Sequence, residues 1–386
     1  MVSLCVRRPK MLKVLITGAN GFLGTNLQQH LAERSDVEVF LFTRSDALAL
    51  LPVMIQNADF IFHLAGVNRP QHPDEFLIGN THLTRALCTA VASVADITGK
   101  KIPVVYTSST HAACDNAYGN SKRGAEDILL QLQRFHGVPV HVFRLPNVFG
   151  KWCKPNYNSA VATFCHQIAR GISIQIHDPE ISLSLVYVDD VIESFIKLMD
   201  GSKPFLDSLG FATVAPQYTT TVGEIAGLLE SFVANRDTFS IERVGTGFLR
   251  ALYSTFVSFL PVQSFSYPAT MHCDVRGVFV EMLKTPDCGQ FSYFTAPPGI
   301  TRGGHYHHTK TEKFLVIKGK ARFKFRHVQT HEVHQLDTSG DNAEIVETVP
   351  GWTHDITNIG TEEMVVMLWA NEVFDRQRPD TFACPL

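Results

Sequence analysis

At 386 residues the chain exceeds the about 250–300 residues at which a single hydrophobic core stops growing, so two domains are expected. Its composition, 45% hydrophobic and 18% charged with a formal net charge of -3, excludes a disordered chain and a nucleic-acid-coating one. No basic block calls for a nucleic-acid or membrane partner. The eight cysteines, Cys5, Cys88, Cys114, Cys153, Cys165, Cys273, Cys288 and Cys384, have no Cys-x-x-Cys spacing, which fits free thiols in a reducing compartment, the cytoplasm.

Residues 1–10 are basic and read as an extension, with Met11 a possible natural start. The apolar run Val14-Leu15-Ile16 is a strand's length, too short for a signal peptide's apolar region or a membrane anchor. Residues 12–17, 37–42, 60–64, 103–107 and 138–144 are apolar runs separated by helical stretches, the pattern of a parallel sheet covered on both faces. Residues 151–260 mix helices (160–170 and 222–234) with loops and read as a substrate lobe of the same domain. From 261 to 386 the texture changes to strands with Gly and Pro turns, such as 314–317, 321–325, 344–349 and 364–369, an all-β module. The expected fold is therefore an α/β Rossmann-type doubly wound sheet over 11–260 followed by an all-β domain over 261–386.

Directly after the first strand comes Thr17-Gly18-Ala19-Asn20-Gly21-Phe22-Leu23-Gly24, then a helical stretch. Glycines that let the backbone approach a pyrophosphate, followed by a helix N-terminus whose free N–H groups favour an anion, make a dinucleotide cradle. The Gly-x-x-Gly-x-x-Gly spacing is that of the extended short-chain dehydrogenase/reductases. The second strand ends in Thr43-Arg44, where an NAD-specific site would place an acid for the ribose hydroxyls. Arg44 offers a guanidinium to a 2′-phosphate and favours NADPH, the alternative being an ordinary surface charge. Leu64, Ala65 and Gly66 form a small-residue turn that would pass beneath the adenine and ribose, and His63 reads as a packed strand residue.

Tyr118 and Lys122 stand four apart, hence on one face of a helix. An ammonium beside a phenol pulls its pKa from near 10 toward neutrality, so that the tyrosine can exchange a proton with a carbinol oxygen. The strand end Thr107-Ser108-Ser109 supplies a hydroxyl partner. Ser109 is the expected one and Ser108 the fallback. Arg144-Leu145-Pro146-Asn147-Val148-Phe149-Gly150 resembles the extended family's Arg-x-x-Asn-x-Tyr-Gly segment, which opens a nucleotide-sugar site. Asn147 would orient sugar or nicotinamide. Lys151 and Lys154 suit a diphosphate, or are solvated loop lysines.

In the β module, Gly299-x5-His305-x-His307-x4-Glu312-x6-Gly319 matches the first cupin motif, and Gly351-x2-His354-x3-Asn358 the second. Histidines two apart on a strand point to one side, so His305, His307, Glu312 and His354 are expected to form a site of three imidazoles and one carboxylate. That set suits Zn, Ni, Fe(II) or Mn. A metal-free cupin is the alternative. His308 and Lys310 are acid/base candidates beside it.

From Met11 onward the chain resembles the bifunctional capsular-polysaccharide synthesis reductases, a short-chain-type reductase fused to a cupin (jelly-roll barrel). The resemblance is carried by His63-Leu64-Ala65-Gly66-Val67-Asn68-Arg69-Pro70, by residues 149–159, and by His307-His308-Thr309-Lys310 with Glu312-Lys313-Phe314-Leu315-Val316. It implies a UDP-linked 2-acetamido-2,6-dideoxy-hexos-4-ulose substrate on the route to UDP-N-acetyl-L-fucosamine. It also implies cupin-catalysed epimerisation at carbon 3, NADPH-dependent reduction at carbon 4, zinc as the expected metal and a homodimer formed through the cupin. A simple 4-keto-sugar reductase with a non-catalytic cupin, used for dimerisation or sugar binding, stays open, as does an epimerase or dehydratase that recycles its cofactor.

Overall fold

The computed structural model describes residues 11–72, 74–274, 277–280, 283, 289–372 and 377–386. The extension expected at 1–10 lies outside them. The chain divides into two compact units, one running to Val148 and including Ser184–Gln217, the other made of Phe149–Leu183 and Tyr218–Leu386.

In the first unit, Leu12–Thr17 pairs in parallel with Val37–Phe42 on one side and Phe60–His63 on the other. Val104–Ser109 and Val140–Leu145 follow outward in the same direction. A short hairpin, Phe205–Leu206 with Ala212–Thr213, closes that edge; its second strand is parallel to the sheet and its first antiparallel. The central runs form strands because they are buried on both faces, whereas the outer run Val37–Phe42 is only partly covered and leaves Leu41 exposed. Val14, Leu15, Ile16, Ile61, Phe62, Val104, Val105 and Tyr106 are fully buried, and each Val, Leu, Ile or Phe among them contributes about 1.5–3 kcal/mol by leaving water. The order in the sheet reverses beside the first strand, so its carboxyl end and that of Phe60–His63 flank the crevice where open α/β sheets bind ligands.

Two helices matter for the site. Leu83–Thr98 is preceded by a π-helical turn at Leu77–His82 and ends at Gly99 with φ +74°. Ala117–His136 is capped by the Asn116 side chain, which accepts from the Gly119 N–H at 2.8 Å, and stops at Gly137.

Among the described residues, the second unit carries two five-stranded antiparallel sheets. One contains Glu312–Lys318, flanked by Glu344–Glu347 and Met364–Ala370. The other contains Lys320–His327, Trp352–Asn358 and Thr301–Tyr306, with Phe382–Ala383 added at its edge. Phe314, Phe323, Phe325, Ile345, Val346 and Val366 are buried within this unit. The helices Ala160–Ile168, Val222–Thr238 and Gly247–Ser258 belong to the same unit. Among the described residues, no helix is long and apolar enough to cross a membrane, and Cys88, Cys114, Cys153, Cys165 and Cys384 are free thiols.

Candidate functional site

The glycine loop folds as its spacing predicts. Gly18 has φ +69°, and a Cβ there would stand 2.5 Å from the Ala65 backbone nitrogen, so only glycine lets the loop press against the Leu64–Ala65 turn. A Cβ on Gly24 would meet the Gly18 carbonyl oxygen at 2.3 Å, which holds the helix start against the loop. Gly21 is the N-cap of the helix Phe22–Ala32, and neither a side-chain cap nor an acidic residue fills its first turn. Phe22 and Leu23 are half-buried in that turn. The free N–H groups, the small-residue turn and the absence of a competing carboxylate fit the diphosphate of a dinucleotide. Arg44 is exposed just past the second strand, in a turn where Asp46 accepts from the Thr43 N–H and hydroxyl, each at 2.7 Å.

His63 is fully buried. Its Nδ1 lies 2.7 Å from the Thr17 hydroxyl and its Nε2 2.9 Å from that of Thr84, with the ring stacked 5.3 Å from Tyr106. Burial, then the charge of Lys122, pushes its pKa down to about 3, so it is a neutral strut under the cradle.

Tyr118 and Lys122 share one face of Ala117–His136, as their spacing requires. The Tyr118 hydroxyl bonds Ser109, while burial raises its pKa. Ser109 also accepts from the His111 N–H at 3.1 Å. Ser108, the fallback, is buried and donates instead to Glu126 Oε1 at 2.5 Å. Lys122 is buried and donates to the Thr107 carbonyl at 2.9 Å, its Nζ 5.0 Å from the centre of the Tyr106 ring. A Cβ on Gly66 would come within 3.1 Å of that Nζ, so the turn and the lysine adjoin. Burial lowers the Lys122 pKa to about 8, with Glu126 opposing the change.

Two residues of this site went unnoticed in the sequence. Asn80, inside the π turn, has Oδ1 accepting from the Val67 N–H at 2.8 Å and Nδ2 donating to the Val67 carbonyl and the Ser121 hydroxyl, each at 2.9 Å. It ties the Gly66 turn to the Tyr118 helix. Glu126 is paired with Arg144. Neither stands in a spacing pattern; a π turn is itself a frequent mark of a functional site, but it is not visible in sequence.

Asn147 is exposed on the strand Asn147–Phe149. Lys151 and Lys154 differ sharply. Lys151 is fully buried with its Nζ 5.3 Å from the centre of the Trp152 ring, and Lys154 is exposed with its Nζ 5.5 Å from that of Tyr157.

In the second unit His305 stands opposite His354 across the ladder between Thr301–Tyr306 and Trp352–Asn358. The donor atoms of His305, His307, Glu312 and His354 all lie within 4.8 Å of one another. His307 Nε2 is 3.2 Å and His354 Nε2 3.4 Å from Glu312 Oε2. His354 is buried, with Nε2 facing Glu312, and among the described residues its Nδ1 has no hydrogen-bond partner. Burial, then the neighbouring imidazoles of His354 and His307, pushes His305 down to about 4. Burial raises Glu312, but the imidazoles of His307 and His354 outweigh it and hold the carboxyl well below its ordinary range. Three clustered imidazoles, a carboxylate held well below its ordinary range and a buried nitrogen without a hydrogen-bond partner fit a divalent metal site.

Asp380 completes this region and was also missed. Its Oδ1 accepts from the His308 N–H at 2.9 Å, and its Oδ2 accepts from the N–H groups of Thr309 and Lys310, each at 2.7 Å. The His307 Nδ1 contacts its carbonyl oxygen, the kind of outer contact that orients a ligating imidazole. Lys310 Nζ lies 3.1 Å from Glu312 Oε1, and His308 is buried beside Phe382.

Comparison with known proteins agrees with both halves. Residues 14–204 match the NAD dependent epimerase/dehydratase family and residues 272–382 the polysaccharide biosynthesis C-terminal domain. The UDP-2-acetamido-2,6-beta-L-arabino-hexul-4-ose reductase of Pseudomonas aeruginosa is 61% identical over 97% of this chain and 98% of its own. The crystal structure of the capsular polysaccharide assembling protein CapF from Staphylococcus aureus is 42% identical, with a TM-score of 0.65 over 97% of this chain and 100% of that one. The UDP-glucuronic acid 4-epimerase of Bacillus cereus, 17% identical with a TM-score of 0.51, covers 58% of this chain and 85% of its own and shares the fold alone. The chain therefore belongs to the family of capsular-polysaccharide UDP-sugar 4-ketoreductases, in which an epimerase/dehydratase-type Rossmann domain precedes a cupin-type polysaccharide-biosynthesis domain.

Proposed function

We propose that this chain is a cytoplasmic NADPH-dependent nucleotide-sugar reductase that inverts carbon 3 of a UDP-2-acetamido-2,6-dideoxy-hexos-4-ulose in its cupin domain and then reduces the 4-ketone, supplying a precursor of surface polysaccharide. The observation that carries the reading is the junction of Ser109, Tyr118 and Lys122 beside the Gly66 turn, in a chain 61% identical to a reductase of such a sugar. The cofactor, when bound, supplies the hydride. Tyr118 donates the proton to the carbonyl oxygen, Ser109 fixes the phenol's direction, and the Lys122 ammonium stabilises the phenolate left behind. Gly18, Gly21, Phe22, Leu23, Gly24, Leu64, Ala65 and Gly66 line the dinucleotide, and Arg44 takes its 2′-phosphate. Asn147 orients the sugar, with Lys151 and Lys154 on the diphosphate side; the burial of Lys151 favours a fixed charge there over a solvated one.

The domain limits follow the same reading, with a reductase domain over 11–260 that includes a substrate lobe at 151–260, and a cupin over 261–386. His305, His307, Glu312 and His354 hold a divalent metal, zinc being expected, and the buried His354 Nδ1 without a hydrogen-bond partner supports this. A bound divalent metal supplies a Lewis acid for the carbonyl oxygen. His308 and Lys310 are the side chains placed to move the carbon 3 proton, which a neighbouring 4-ketone acidifies. The active species is a homodimer formed through the cupin, which sedimentation of the native chain and of residues 1–260 would test.

The deciding experiment incubates the full chain with the 4-keto sugar nucleotide in deuterated water, with and without NADPH. His354→Ala should lose metal and carbon 3 exchange yet reduce a pre-epimerised substrate; Tyr118→Phe should exchange deuterium and accumulate ketone. Folded, metal-free protein that exchanges carbon 3 at the native rate would remove the metal from the epimerisation. Native protein that reduces no 4-keto sugar would overturn the reading as a whole.

A further inference from the structure

Arg144 opens the Arg-x-x-Asn segment, and nothing in the reduction just described uses it. Its guanidinium lies 3.6 Å above the Phe211 ring. From there it donates to Glu126 twice, Nε to Oε1 at 3.0 Å and Nη2 to Oε2 at 2.6 Å. Glu126 is almost fully buried, and Oε1 also accepts the Ser108 hydroxyl at 2.5 Å. Three elements thus close on one carboxylate: the strand ending in Ser108 and Ser109, the strand ending in Arg144 and Leu145, and the helix bearing Tyr118 and Lys122.

The position of Glu126 on that helix gives this a chemical consequence. It stands one turn beyond Lys122, as Lys122 stands one turn beyond Tyr118, and residues four apart on a helix face are neighbours. Lys122 is buried with one hydrogen bond given to a neutral acceptor, Thr107 O. A buried ammonium in that position is disfavoured unless an anion is close. The other titratable groups that interact with this pocket are His63, Tyr106, Tyr118 and Cys88. His63 is neutral above pH about 3, and burial drives Tyr106 well above its ordinary value, raises Tyr118 and pushes Cys88 up to about 12, so none of them supplies a negative charge near neutrality. Glu126 does.

We propose that Glu126, clamped by Arg144 and Ser108, is a positioning residue that keeps the Lys122 side chain charged in its buried pocket, with Arg144 setting how much of the carboxylate's field Lys122 receives. The inference deepens the reductase reading and rests on it for its catalytic meaning, though the electrostatic statement stands alone. Lys122 is held at about 8, with burial lowering it and Glu126 acting against that. It is therefore poised where a change in Glu126 or Arg144 decides its charge in the working range.

The two partners should act with opposite sign. Removing the carboxylate's charge in Glu126→Gln should lower the Lys122 midpoint, by about 1 pH unit or more for a close opposite charge. Removing the guanidinium in Arg144→Gln leaves the carboxylate less neutralised and should raise it. Glu126→Asp, which keeps the charge, should return most of the native midpoint. A purely structural clamp would lower thermal stability in both variants and give no such antisymmetry.

The experiment is a pH titration of the full chain without cofactor, following [13Cε]lysine resonances by NMR, with Lys122 identified by the peak lost in Lys122→Met. Thermal melts check folding, and the alkaline limb of kcat/KM for NADPH oxidation is measured in parallel. The expected result is a midpoint near 8 that falls in Glu126→Gln, rises in Arg144→Gln and is followed in each case by the alkaline limb. Native midpoints in both variants, or shifts of the same sign, would overturn the proposal; should Glu126→Gln not fold, the shift in Arg144→Gln decides alone. If the native chain reduces no 4-keto sugar, the functional reading falls while the titration still decides this one.

Discussion

A buried charge cluster in the second unit lets the energetics be tested apart from the chemistry. Glu347 is almost fully buried at the end of its strand and faces Lys313 across the ladder. It is in contact with the Lys313 Nζ, lies 2.5 Å from Arg236 Nη1, and accepts the Tyr253 hydroxyl at 3.2 Å. Lys313 donates to the Tyr267 hydroxyl at 2.6 Å, and the Arg236 guanidinium lies 4.2 Å above that ring. One carboxylate therefore serves two cations, both little exposed, with 4% of the Lys313 and 15% of the Arg236 side chain reaching solvent. Glu347→Gln strands both, and removing one partner of a buried pair costs about 3–5 kcal/mol. Lys313→Met leaves Glu347 with Arg236 and Tyr253 and forfeits contacts worth about 2 kcal/mol, the scale of a hydrogen bond to a charged group. In calorimetry of the full chain the melting of this unit should fall by about 10 °C in Glu347→Gln and by about half that in Lys313→Met. The double variant should lose less than the sum. Burial raises the Glu347 pKa, but Arg236 and Lys313 together more than offset it, and the carboxyl ends below its ordinary value. Its contribution is then present above the unfolded value of about 4.3 and is lost as pH falls through the folded value. The gap between native protein and Glu347→Gln should close in that acid range. A Glu347→Gln protein within about 1 kcal/mol of native at pH 7 would refute the reasoning, because a partner lost from a buried pair cannot be that cheap.

Three substitutions test the reductase half. Tyr118→Phe should cut NADPH oxidation by at least about 100-fold, the scale of a lost general acid, with cofactor affinity by fluorescence titration unchanged; full activity would exclude Tyr118 from proton transfer. Native protein should prefer NADPH to NADH by about 10-fold or more, and Arg44→Asp should reverse this, since a hydrogen bond to a charged group is worth about 1.5–3 kcal/mol. Equal kcat/KM with the two cofactors in native protein would return Arg44 to the surface. Gly18→Ala combines a left-handed backbone with a Cβ 2.5 Å from the Ala65 nitrogen; it should lose about 2 kcal/mol of stability and most dinucleotide binding, and native affinity would show the loop to be looser than its packing indicates.

How much of this was legible in the sequence depended on whether a contact repeats along the chain. The central parallel strands were readable because burial on both faces leaves unbroken apolar runs, and the expected ranges meet the observed strands within one or two residues: 103–107 became Val104–Ser109 and 138–144 became Val140–Leu145. The metal-ligand candidates were readable from the spacing of the two cupin-like motifs, and the structure brings the donors of His305, His307, Glu312 and His354 together, although the strand expected to carry both histidines ends at Tyr306 and leaves His307 just beyond it. Where periodicity was absent, the reading stopped. Lys151 and Lys154 looked equivalent, yet one is buried and the other exposed, because a loop has no face to read. The edge strands Phe205–Leu206 and Ala212–Thr213, two residues each, are too short to show alternation. Glu126 lies two helical turns beyond Tyr118, but helix periodicity cannot say that Arg144 and Ser108 arrive there from two strands; sheet register decides that. Asp380 is the limiting case. It organises the loop after His307 from about seventy residues away, and three of its partners are backbone N–H groups, which nearly every residue possesses. A carboxylate that binds main chain leaves no signature in the residues it binds, so its role could emerge only once the fold had brought the tail back to the loop.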